Sequence, residues 1–430
     1  MVKNRILIIT YYWPPSGGSG VQRWVYFAKN LKELGYSPII LTINSKNASY
    51  PILDDSFNEH VKDLPTYFVK SFSWVNLYSR IKSFKNKKDV IPQGEYKKSG
   101  LLDYFAGFIR GNFFIPDARV GWAEKSKKIA LEIIKKNKIR TLITTGPPHS
   151  THLVGLYVKS KMEINWLADF RDPWGELFYL KSFHRFPFSI NKDLSLESNV
   201  LLKADGILTT VSKNFHEKLQ SKISVKQNFF KIYNGYDEKL FYNKKEISTK
   251  KFQLVFTGLL TNNHPYKSLL KSINKFKSIN PKAKIKIILS GEIAPEILKE
   301  FNKIMETDYR GYLSHIDAIN LMYQANLLIN FLYIQQGKST MLSGKTLEYM
   351  ATCKPILMIG DCNSEAANLL SKQKLNSTFE STEIPLITSF ILNNYNKWNK
   401  GVKLRNSKTP ILKFSRKETA IALSKIIDKL

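Results

Sequence analysis

The chain has 430 residues and a formal net charge of +31, from 66 Lys and Arg against 35 Asp and Glu. This length suits two or three domains, and a hydrophobic content of 43% indicates that they are folded and globular. Cys353 and Cys362 are the only cysteines, which excludes a disulfide framework and a four-cysteine zinc site and fits a reducing compartment. The charge favours anionic partners such as nucleotide phosphates, lipid headgroups or nucleic acid.

Two other classes of function fit the composition poorly. Most of the basic residues are lysines, whereas proteins that read DNA bases rely on the forked guanidinium of arginine. No apolar run reaches the ~20 residues that span a bilayer, and the basic start leads directly into a strand instead of a signal peptide. We therefore expect a cytoplasmic protein that is attached at most to a membrane surface.

The first half of the chain alternates predicted strands and helices. An apolar strand, Arg5–Thr10, leads into a glycine-rich turn, and apolar residues at helical spacing follow as far as Gly35. Apolar strands separated by helices predict an α/β fold with a parallel sheet covered on both faces. Further strands are predicted at Pro38–Ile43, Thr66–Lys70, Thr141–Thr145, Trp166–Phe170, Ile207–Val211 and Phe229–Tyr233, with helices at Ala123–Lys136, Thr151–Lys161 and Asn191–Lys203.

The glycine-rich turn indicates an anion site. Gly17, Gly18 and Gly20 let the backbone turn tightly and bring its N–H groups close to a ligand. The helix behind them carries about half a positive charge at its N-terminus, which favours a phosphate. Similar turns occur in α/β proteins that bind nothing, and a nicotinamide site is disfavoured because Arg23 stands where a third glycine would sit.

One segment of the first half departs from this alternation. Residues Arg80–Lys98 are rich in lysine, and the apolar residues behind them plot on one face of a helix. A basic stretch beside an apolar helix suits an anionic membrane surface, so Arg80–Ile109 is a candidate membrane contact. An insertion that packs on its own domain explains the pattern equally well. The apolar residues are Leu101, Leu102, Phe105, Phe108 and Ile109.

Two turns of the first half carry polar side chains at the carboxyl ends of strands, where open parallel sheets bind ligands. In one of them an arginine between two aspartates can orient a carboxylate toward a cleft, or can form a structural ion pair. The other contains two histidines without a Cys or Glu at metal spacing, so we expect no metal site. The residues are His149 and His152 in one turn, and Asp169, Arg171, Asp172 and Trp174 in the other.

The alternation restarts after Lys250, and the polar stretch Asn243–Lys251 is predicted to be a linker. Two successive α/β domains with binding turns at their strand ends predict a ligand held in the cleft between them. The predicted strands are Gln253–Phe256, Lys286–Leu289, Leu327–Phe331 and Ile356–Ile359, and the predicted helices are Lys267–Ser278, Glu296–Glu306, Ile316–Ala325, Lys345–Thr352 and Glu365–Ser371.

A helix start in the second half predicts a diphosphate site. Ser343, Gly344, Lys345 and Thr346 open a helix, so its N–H groups and the lysine can receive a diphosphate. Glu348 lies about one turn further, where it can accept hydrogen bonds from ribose hydroxyls. An ordinary capped helix with an exposed lysine is the alternative.

The end of the chain predicts a last helix. Ser415 and Glu418 have the spacing of a capping box, and an apolar stripe follows at helical spacing. Such a helix can fold back over the first domain. The stripe consists of Ala420, Leu423, Ile427 and Leu430.

Taken together, these segments resemble the GT-B glycosyltransferases of sequence family 4 over nearly the whole chain, and most of all the bacterial branch that builds surface polysaccharides. Their order and spacing carry the resemblance, since several of the segments are short. They are Pro14–Arg23, Phe114–Trp122, Gly146–His152, Asp169–Trp174, Asn234–Asp237 and Ser343–Met350.

The resemblance implies two Rossmann-like domains that face each other across a cleft. Residues 1–245, joined by a C-terminal helix at 412–430, would form the acceptor domain, and residues 250–408 the nucleotide-sugar domain. It also implies transfer of a hexosyl group, with retention of configuration and without a cofactor or essential metal, to a glycan or lipid-linked acceptor. On this pattern Glu348 is the ribose contact, Ser343–Lys345 the diphosphate loop and Gly17–Gly20 the N-terminal glycine loop.

The chain departs from the family pattern in three places. The family often has two glutamates eight residues apart, and the first position here is Thr340. Gly258, assigned to the donor side, is followed by Leu259 where an arginine is usual, and Lys267 is the nearest candidate for the family's lysine. Many relatives have a histidine where this chain has Asp169–Asp172.

The chemistry requires that the diphosphate leaving group be neutralised as an oxocarbenium-like transition state forms. Fixed cations and helix N–H groups can do this without a metal. We expect Lys345, the loop N–H groups and Gly17–Gly20 to share this task, with Lys345 standing in for a missing family cation. The remaining site residues are Asp172, Asp169 or His149 as the group that orients the acceptor hydroxyl or reacting sugar, and Arg171, Trp174 and His152 on the acceptor side.

Two other functions stay open at this stage. A nucleotide-sugar epimerase of GT-B fold would share every motif and would need no acceptor. A basic nucleic-acid-binding protein is suggested by the charge alone, but the chain has neither an arginine-rich face nor a known reading motif. We therefore expect a nucleotide-sugar donor, a glycan or lipid-linked acceptor and no nucleic acid as partners.

Overall fold

The computed structural model describes residues 5–50, 53–72, 101–175, 183–210, 213–241, 248–333, 342 and 344–430. The described chain divides into two compact units. The first unit comprises residues 1–234 and 419–430, and the second comprises residues 235–418. The second unit is therefore inserted into the first in sequence.

The first unit is built on a parallel sheet of seven strands with the order β3-β2-β1-β4-β5-β6-β7. Two of its central strands, Thr141–Gly146 and Asn165–Phe170, are buried except at Asn165, which is why they appear in the sequence as largely apolar runs. The strands are β1 Arg5–Ile9, β2 Ser37–Ile43, β3 Thr66–Val69, β4 Thr141–Gly146, β5 Asn165–Phe170, β6 Gly206–Thr209 and β7 Phe229–Lys231.

Helices connect the strands of the first unit, and the last helix of the chain packs into the same core. Ala420, Leu423 and Ile427 are buried together with residues of β1 and of the first helix. The expected return of the C-terminal helix to the first domain is confirmed. The helices are α1 Ser19–Glu33, α2 Asn58–Val61, α3 Leu101–Phe113, α4 Val120–Asn137, α5 Ser150–Lys161, α6 Pro187–Lys203 and α7 Lys213–Gln220.

The second unit is built on a parallel sheet of six strands with the order β10-β9-β8-β11-β12-β13. Relative to its own first strand this is the order 3-2-1-4-5-6 of a Rossmann fold. The order reverses between β8 and β11, and ligands bind at such a reversal, beyond the carboxyl ends of the strands. The strands are β8 Phe252–Thr257, β9 Ile285–Ser290, β10 Glu306–Tyr309, β11 Leu327–Phe331, β12 Ile356–Ile359 and β13 Ser377–Phe379.

Helices cover this sheet around an apolar core of its own. The last two helices of the series belong to the end of the chain, where Ser415 Oγ accepts a hydrogen bond from the Glu418 N–H at 3.2 Å, as expected for the capping serine. The helices are α8 Tyr266–Ile279, α9 Pro295–Ile304, α10 His315–Gln324, α11 Gly344–Ala351, α12 Glu365–Leu370, α13 Ile384–Asn399 and α14 Thr409–Leu412. The chain ends with α15 Arg416–Ile427, whose residues from Thr419 onward belong to the first unit.

The structure corrects the predicted elements at the two edges of the second sheet, where the strands β10 and β13 were not predicted. The helix expected at Glu296–Glu306 ends at Ile304, and Glu306 opens the edge strand β10, where it pairs with Lys286. An edge strand has one open side and little apolar surface to bury, so Glu-Thr-Asp-Tyr carries no hydrophobic alternation. Three predicted features lie wholly or partly outside the described residues. They are the basic segment Arg80–Lys98, the strand end Val211 and much of the linker Asn243–Lys251.

Candidate functional site

In the second unit a glycine turn follows β8 at the reversal of strand order. Gly258 has φ +118°, a value that favours glycine. A side chain at the neighbouring Gly291 would meet the Gly258 backbone, because a Cβ there would lie 2.3 Å from its carbonyl oxygen. The turn is thus closely packed on one side, and on its other side it faces the helix that follows β11.

The Lys345 amine lies directly in front of this turn. Its Nζ is 4.1 Å from the centre of the Phe256 ring, and a Cβ on Gly258 would lie 3.4 Å from it. Burial lowers the pKa of Lys345 to about 7. Among the described residues no carboxylate lies within ion-pair distance of this amine. A desolvated cation without an anion at a strand end is arranged to receive one.

His264 is a second cationisable group beside Lys345, and the sequence did not indicate it. Its Nδ1 accepts a hydrogen bond from the Thr261 N–H at 3.1 Å, and its ring centre lies 4.1 Å from that of Tyr333. Burial and the neighbouring lysine lower the pKa of His264 to about 4. The imidazole is therefore neutral at pH 7, and Lys345 supplies the positive charge of the site.

The helix that begins at Gly344 is fixed to the ends of both central strands. The Thr257 N–H donates to Tyr349 Oη at 2.8 Å, which ties the helix to β8. The Asn330 side chain of β11 donates a hydrogen bond to the Thr346 hydroxyl at 3.1 Å. Thr346, which the sequence assigned to the nucleotide-sugar site, therefore also holds the helix to the sheet. A side chain at Gly344 would meet nothing within 4 Å, and the helix start is open there.

Glu348 lies one turn into this helix and has a partner that the sequence did not reveal. Its Oε1 is 2.7 Å from Nε2 of His315, the first residue of α10. The only signal in the sequence is Ser314, which caps α10 by accepting from the Asp317 N–H at 3.2 Å. The contact orients the carboxylate that we assign to the ribose.

Four further positions of the predicted donor side lie away from the Lys345 amine or outside the described residues. Ser343 and Thr340 lie outside the described residues. Lys267 is exposed on α8, and Leu260 is buried beyond the Gly258 turn. Of the lysines considered as phosphate contacts, Lys345 is the one that the structure brings to the glycine turn.

In the first unit, Asp169 is the centre of a buried network. It forms an ion pair with Arg23 at 3.0 Å, and neither side chain is exposed. Its carboxylate also accepts from Trp24 Nε1 at 2.7 Å and from the Thr145 hydroxyl at 2.9 Å. The aspartate therefore joins α1 to the ends of β4 and β5, and the ion pair that we considered for Arg171 is made by Arg23 instead.

Arg171 lies against the glycine loop and not against Asp169. Its Nε donates to the Gly146 carbonyl at 3.0 Å and its Nη2 to the Pro147 carbonyl. A Cβ on Gly20 would lie 1.3 Å from Nη1 of Arg171, so the missing side chain at this glycine makes room for the guanidinium. Gly17 is buried, whereas a Cβ on Gly18, with φ +102°, would meet nothing within 4 Å.

Asp172 and the histidine turn occupy the same end of this sheet. Burial raises the pKa of the Asp172 carboxyl, although the charge of Arg171 opposes the shift. His149 stacks on Trp174 with ring centres 5.0 Å apart, and His152 stacks on Phe170 at 4.7 Å. The turn is therefore an aromatic column, and its histidines are part of the packing.

Both histidines are neutral at pH 7. Burial, together with its neighbour His152, lowers the pKa of His149 well below its usual value. Burial lowers the pKa of His152 to about 3, and its Nδ1 is hydrogen-bonded to the Thr144 hydroxyl at 2.8 Å. His149 differs from it, because both of its ring nitrogens are buried without a hydrogen-bond partner among the described residues.

A recess of about 80 Å³ opens beside His149. The Phe114–Trp122 segment forms part of its wall through Asp117 and Arg119. Our sequence analysis used this segment only as a family signature and gave its residues no role. Its other lining residues include Tyr12, Arg110, Phe183 and Arg185.

Two features are absent from the part of the chain that the structure describes. No helix in the described ranges is long and apolar enough to cross a membrane. In the same ranges there is no group of three or more His, Cys, Asp or Glu side chains placed to hold a metal ion.

The fold is shared with solved structures of low sequence identity. No protein-family model matches the chain, and no curated protein matches it by sequence. A sucrose-phosphate synthase from Thermosynechococcus elongatus is similar over 99% of both chains, with a TM-score of 0.65 and 13% identity. A glycosyltransferase from Rickettsia africae is similar over 99% of this chain and 98% of its own, with a TM-score of 0.62 and 13% identity.

A third similar structure is that of HepE from Anabaena, solved in complex with UDP-glucose. It matches 99% of this chain and all of its own, with a TM-score of 0.60 and 11% identity. In each of these comparisons the likeness extends over both units. The chain therefore has the GT-B fold, with two Rossmann-like domains.

Proposed function

We propose that the protein is a glycosyltransferase that moves a hexosyl group from a nucleotide-sugar to a glycan or lipid-linked acceptor. The transfer retains the anomeric configuration, uses no cofactor or essential metal, and serves the synthesis of a cell-surface polysaccharide. The second unit binds the donor and the first unit binds the acceptor.

One observation carries this proposal. The Lys345 amine lies within 4.1 Å of the Phe256 ring centre, beside the Gly258 turn, and no carboxylate of the described chain pairs with it. A diphosphate between this amine and the N–H groups of the helix start would receive a cation and fixed dipoles together. As the glycosidic bond breaks, negative charge grows on that diphosphate and the same groups stabilise it.

The rest of the donor follows from the position of Glu348. It lies one turn beyond Lys345 on the same helix, and His315 holds its carboxylate at 2.7 Å. Ribose hydroxyls can donate to the carboxylate while the diphosphate stays at the helix start. The solved HepE with UDP-glucose and a TarM structure that contains UDP are of the same fold and support a nucleotide-sugar donor.

On the acceptor side we assign the orienting role to Asp172, with His149 as the next candidate. Asp169 is already engaged by Arg23, Trp24 and Thr145, so it positions the loop that contains Asp172. Arg171, Trp174 and His152 complete this end of the first unit. Burial raises the pKa of the Asp172 carboxyl, which makes it a stronger base toward a hydroxyl than an exposed aspartate.

An apolar surface on α3 supports a lipid-linked acceptor at the inner face of the cytoplasmic membrane. Phe105, Ile109 and Phe113 are 57%, 47% and 71% exposed. Phe186 and Phe188, at the start of α6, are exposed as well. Apolar side chains on a helix surface, beside a strongly basic segment, suit insertion among anionic headgroups. The basic part, Arg80–Lys98, lies outside the described residues.

A panel of UDP-, GDP- and ADP-sugars, added without metal and then with EDTA, tests the donor assignment. A donor present at 100 times its Kd stabilises the protein by about 2.7 kcal/mol, which a thermal melt detects. Lys345→Met is expected to remove most of the shift, whereas Lys267→Met, a change of an exposed lysine on α8, keeps it. A panel without any stabilising nucleotide-sugar would refute the proposal.

Product analysis then separates transfer from its alternative. With the donor that the panel identifies, a transferase releases the nucleoside diphosphate only in step with glycosylation of an acceptor, and the product keeps the anomeric configuration. A nucleotide-sugar epimerase converts the donor without an acceptor. Epimerised donor with no transfer to any glycan or polyprenyl-linked acceptor would favour the epimerase.

A further inference from the structure

Buried polar atoms without partners concentrate at one place in the first unit. Six of them, among the residues that the structure describes, fall on the segments 119–122 and 149–152. A buried polar group that stays unpaired is destabilising, so a cluster of such groups calls for a ligand or water. The atoms are Nε of Arg119, Nε1 of Trp122, both ring nitrogens of His149, Oγ1 of Thr151 and Nε2 of His152.

The recess of about 80 Å³ lies against two of these side chains, Arg119 and His149. His149 is 3% exposed, and Trp174, which stacks on it, is 1% exposed. The wall is therefore rigid and largely withdrawn from solvent. A space of this size suits one small polar group and not a whole sugar ring.

The charge around the recess is positive. Arg110, Arg119 and Arg185 line it, against the single carboxylate of Asp117. That carboxylate is already engaged, because it accepts from the Ser150 N–H and hydroxyl, both at 2.8 Å, at the start of α5. Arg185 is neutralised by Asp193 at 2.8 Å. The three guanidiniums are thus accompanied by the carboxylates of Asp117 and Asp193.

Arg119 is the guanidinium of the recess with a donor that has no acceptor among the described residues. Its Nη2 donates to the Ser49 hydroxyl at 2.8 Å, and its guanidinium lies 5.5 Å from the centre of the Tyr11 ring. No described carboxylate forms a salt bridge with it, and its Nε–H has no acceptor. The guanidinium is held in place by Ser49 and Tyr11, the Asp117 carboxylate acts on it without a salt bridge, and its Nε–H is the donor left for a ligand.

We propose that this recess binds an anionic oxygen group of the acceptor, a phosphate or a carboxylate, between Arg119 and His149. The guanidinium supplies the charge and a donor, and the neutral imidazole supplies a further donor. Tyr12, Phe183 and Trp174 offer aromatic faces to the sugar that carries the anion. That the anion belongs to the acceptor rests on the proposed function, whereas the binding of an anion does not.

Isothermal titration of the full chain tests this without a donor. The probes are inorganic phosphate, glucuronate and, as the uncharged control, glucose, at constant ionic strength. Saturable binding of phosphate or glucuronate with a Kd below about 10 mM is expected, and no binding of glucose. Preference for phosphate indicates a phosphorylated acceptor, and preference for glucuronate an acidic sugar. Absence of saturable binding of both anions overturns the proposal.

Matched variants locate the site. Arg119→Gln and His149→Phe are each expected to weaken the anion at least tenfold, and the phenyl ring keeps the stacking on Trp174. Arg140→Gln, which removes an exposed arginine of the same unit, leaves affinity unchanged. If Arg119→Gln does not fold, the phenylalanine variant decides alone. Wild-type affinity in folded Arg119→Gln or His149→Phe overturns the assignment.

Nucleotide-sugar binding is measured on the same samples. Anion binding that survives while every nucleotide-sugar fails to bind would refute the proposed function and leave the recess as an anion site. Donor binding that survives without anion binding would refute the recess alone.

Discussion

At the scale of single residues, burial decides what each charged side chain of the two units can do. Asp169 and Lys345 were both candidates for chemistry on the sequence. The first accepts hydrogen bonds from Arg23, Trp24 and Thr145, whereas the second has no carboxylate partner in the described chain. A paired buried charge holds the fold together, and an unpaired one is available to a ligand.

The pKa of Lys345, which burial lowers to about 7, predicts a pH dependence of donor affinity. Below pH 7 the amine already carries its proton, so the diphosphate meets a full charge. Above pH 7 binding must take up a proton, and affinity falls by up to about tenfold per pH unit until the pKa of the complex is reached. Calorimetry from pH 6 to 9 measures this, because a nucleotide-sugar has no ionisable phosphate proton in that range.

Lys345→Arg is the matched control for the pH dependence. Arginine stays charged throughout this range. The affinity of the Lys345→Arg protein for the nucleotide-sugar should therefore not change with pH, even if it differs in size from that of the lysine protein. The same slope in the lysine and arginine proteins would assign the titration to another group.

Gly20 gives a second prediction at this scale. Gly20→Ala places a Cβ 1.3 Å from the present position of Arg171 Nη1, so the guanidinium must leave the Gly146 carbonyl. We expect a loss of about 1–3 kcal/mol in the free energy of unfolding, measured in urea. Gly121→Ala, at a helix position where a Cβ would meet nothing within 4 Å, should gain about 0.5–1 kcal/mol instead. Equal effects at both glycines would contradict the crowding.

At the scale of elements, strands and helices meet through a few polar contacts between distant parts of the chain. Arg23 and Asp169 are 146 residues apart and join α1 to β5. His315 and Glu348 are 33 residues apart and join α10 to α11. These contacts place the ends of the helices over the ends of the strands, where both candidate sites lie.

Asp169→Asn tests the first of these contacts. The change leaves the Arg23 guanidinium buried without its anion, so we expect the free energy of unfolding to fall by about 3–5 kcal/mol. Donor affinity in the second unit should persist at temperatures where the variant is folded. Glu59→Gln, which breaks an exposed pair with Lys62, should leave unfolding unchanged. A stable Asp169→Asn protein that lacks only turnover would return this residue to a catalytic role.

Much of the fold could be predicted from apolar runs, and the polar contacts could not. Leu327–Phe331 and Ile356–Ile359 match the predicted strands residue for residue, because buried central strands leave a continuous apolar signal. The edge strands β10 and β13 were missed, since half-exposed strands carry little such signal. At the sites, Lys345 and Glu348 could be found from a helix start, whereas His264, His315 and Arg119 are brought in by tertiary packing alone.

At the scale of the whole molecule, the first unit needs the two ends of its sequence together. Residues 1–234 supply the sheet, and Ala420, Leu423 and Ile427 supply part of the core around it. Leu423→Ala should therefore destabilise the first unit by about 2–5 kcal/mol in chemical denaturation. Leu412→Ala, at a leucine that is 47% exposed, serves as the control and should be nearly neutral. Equal losses in the two variants would show that the C-terminal helix is not part of this core.

The route of the backbone between the two units bears on how the chain matures. The backbone segment that follows the first unit and the segment that leads back to it run side by side. The Arg416 N–H donates to the Tyr236 carbonyl at 2.9 Å, and the Tyr236 N–H donates to the Phe414 carbonyl at 3.1 Å. During synthesis, about 180 residues of the second unit are made after residue 234 and before the last helix of the first unit leaves the ribosome. Until then its core is open where Ala420 and Leu423 will lie, and a nascent chain released early would carry that gap permanently.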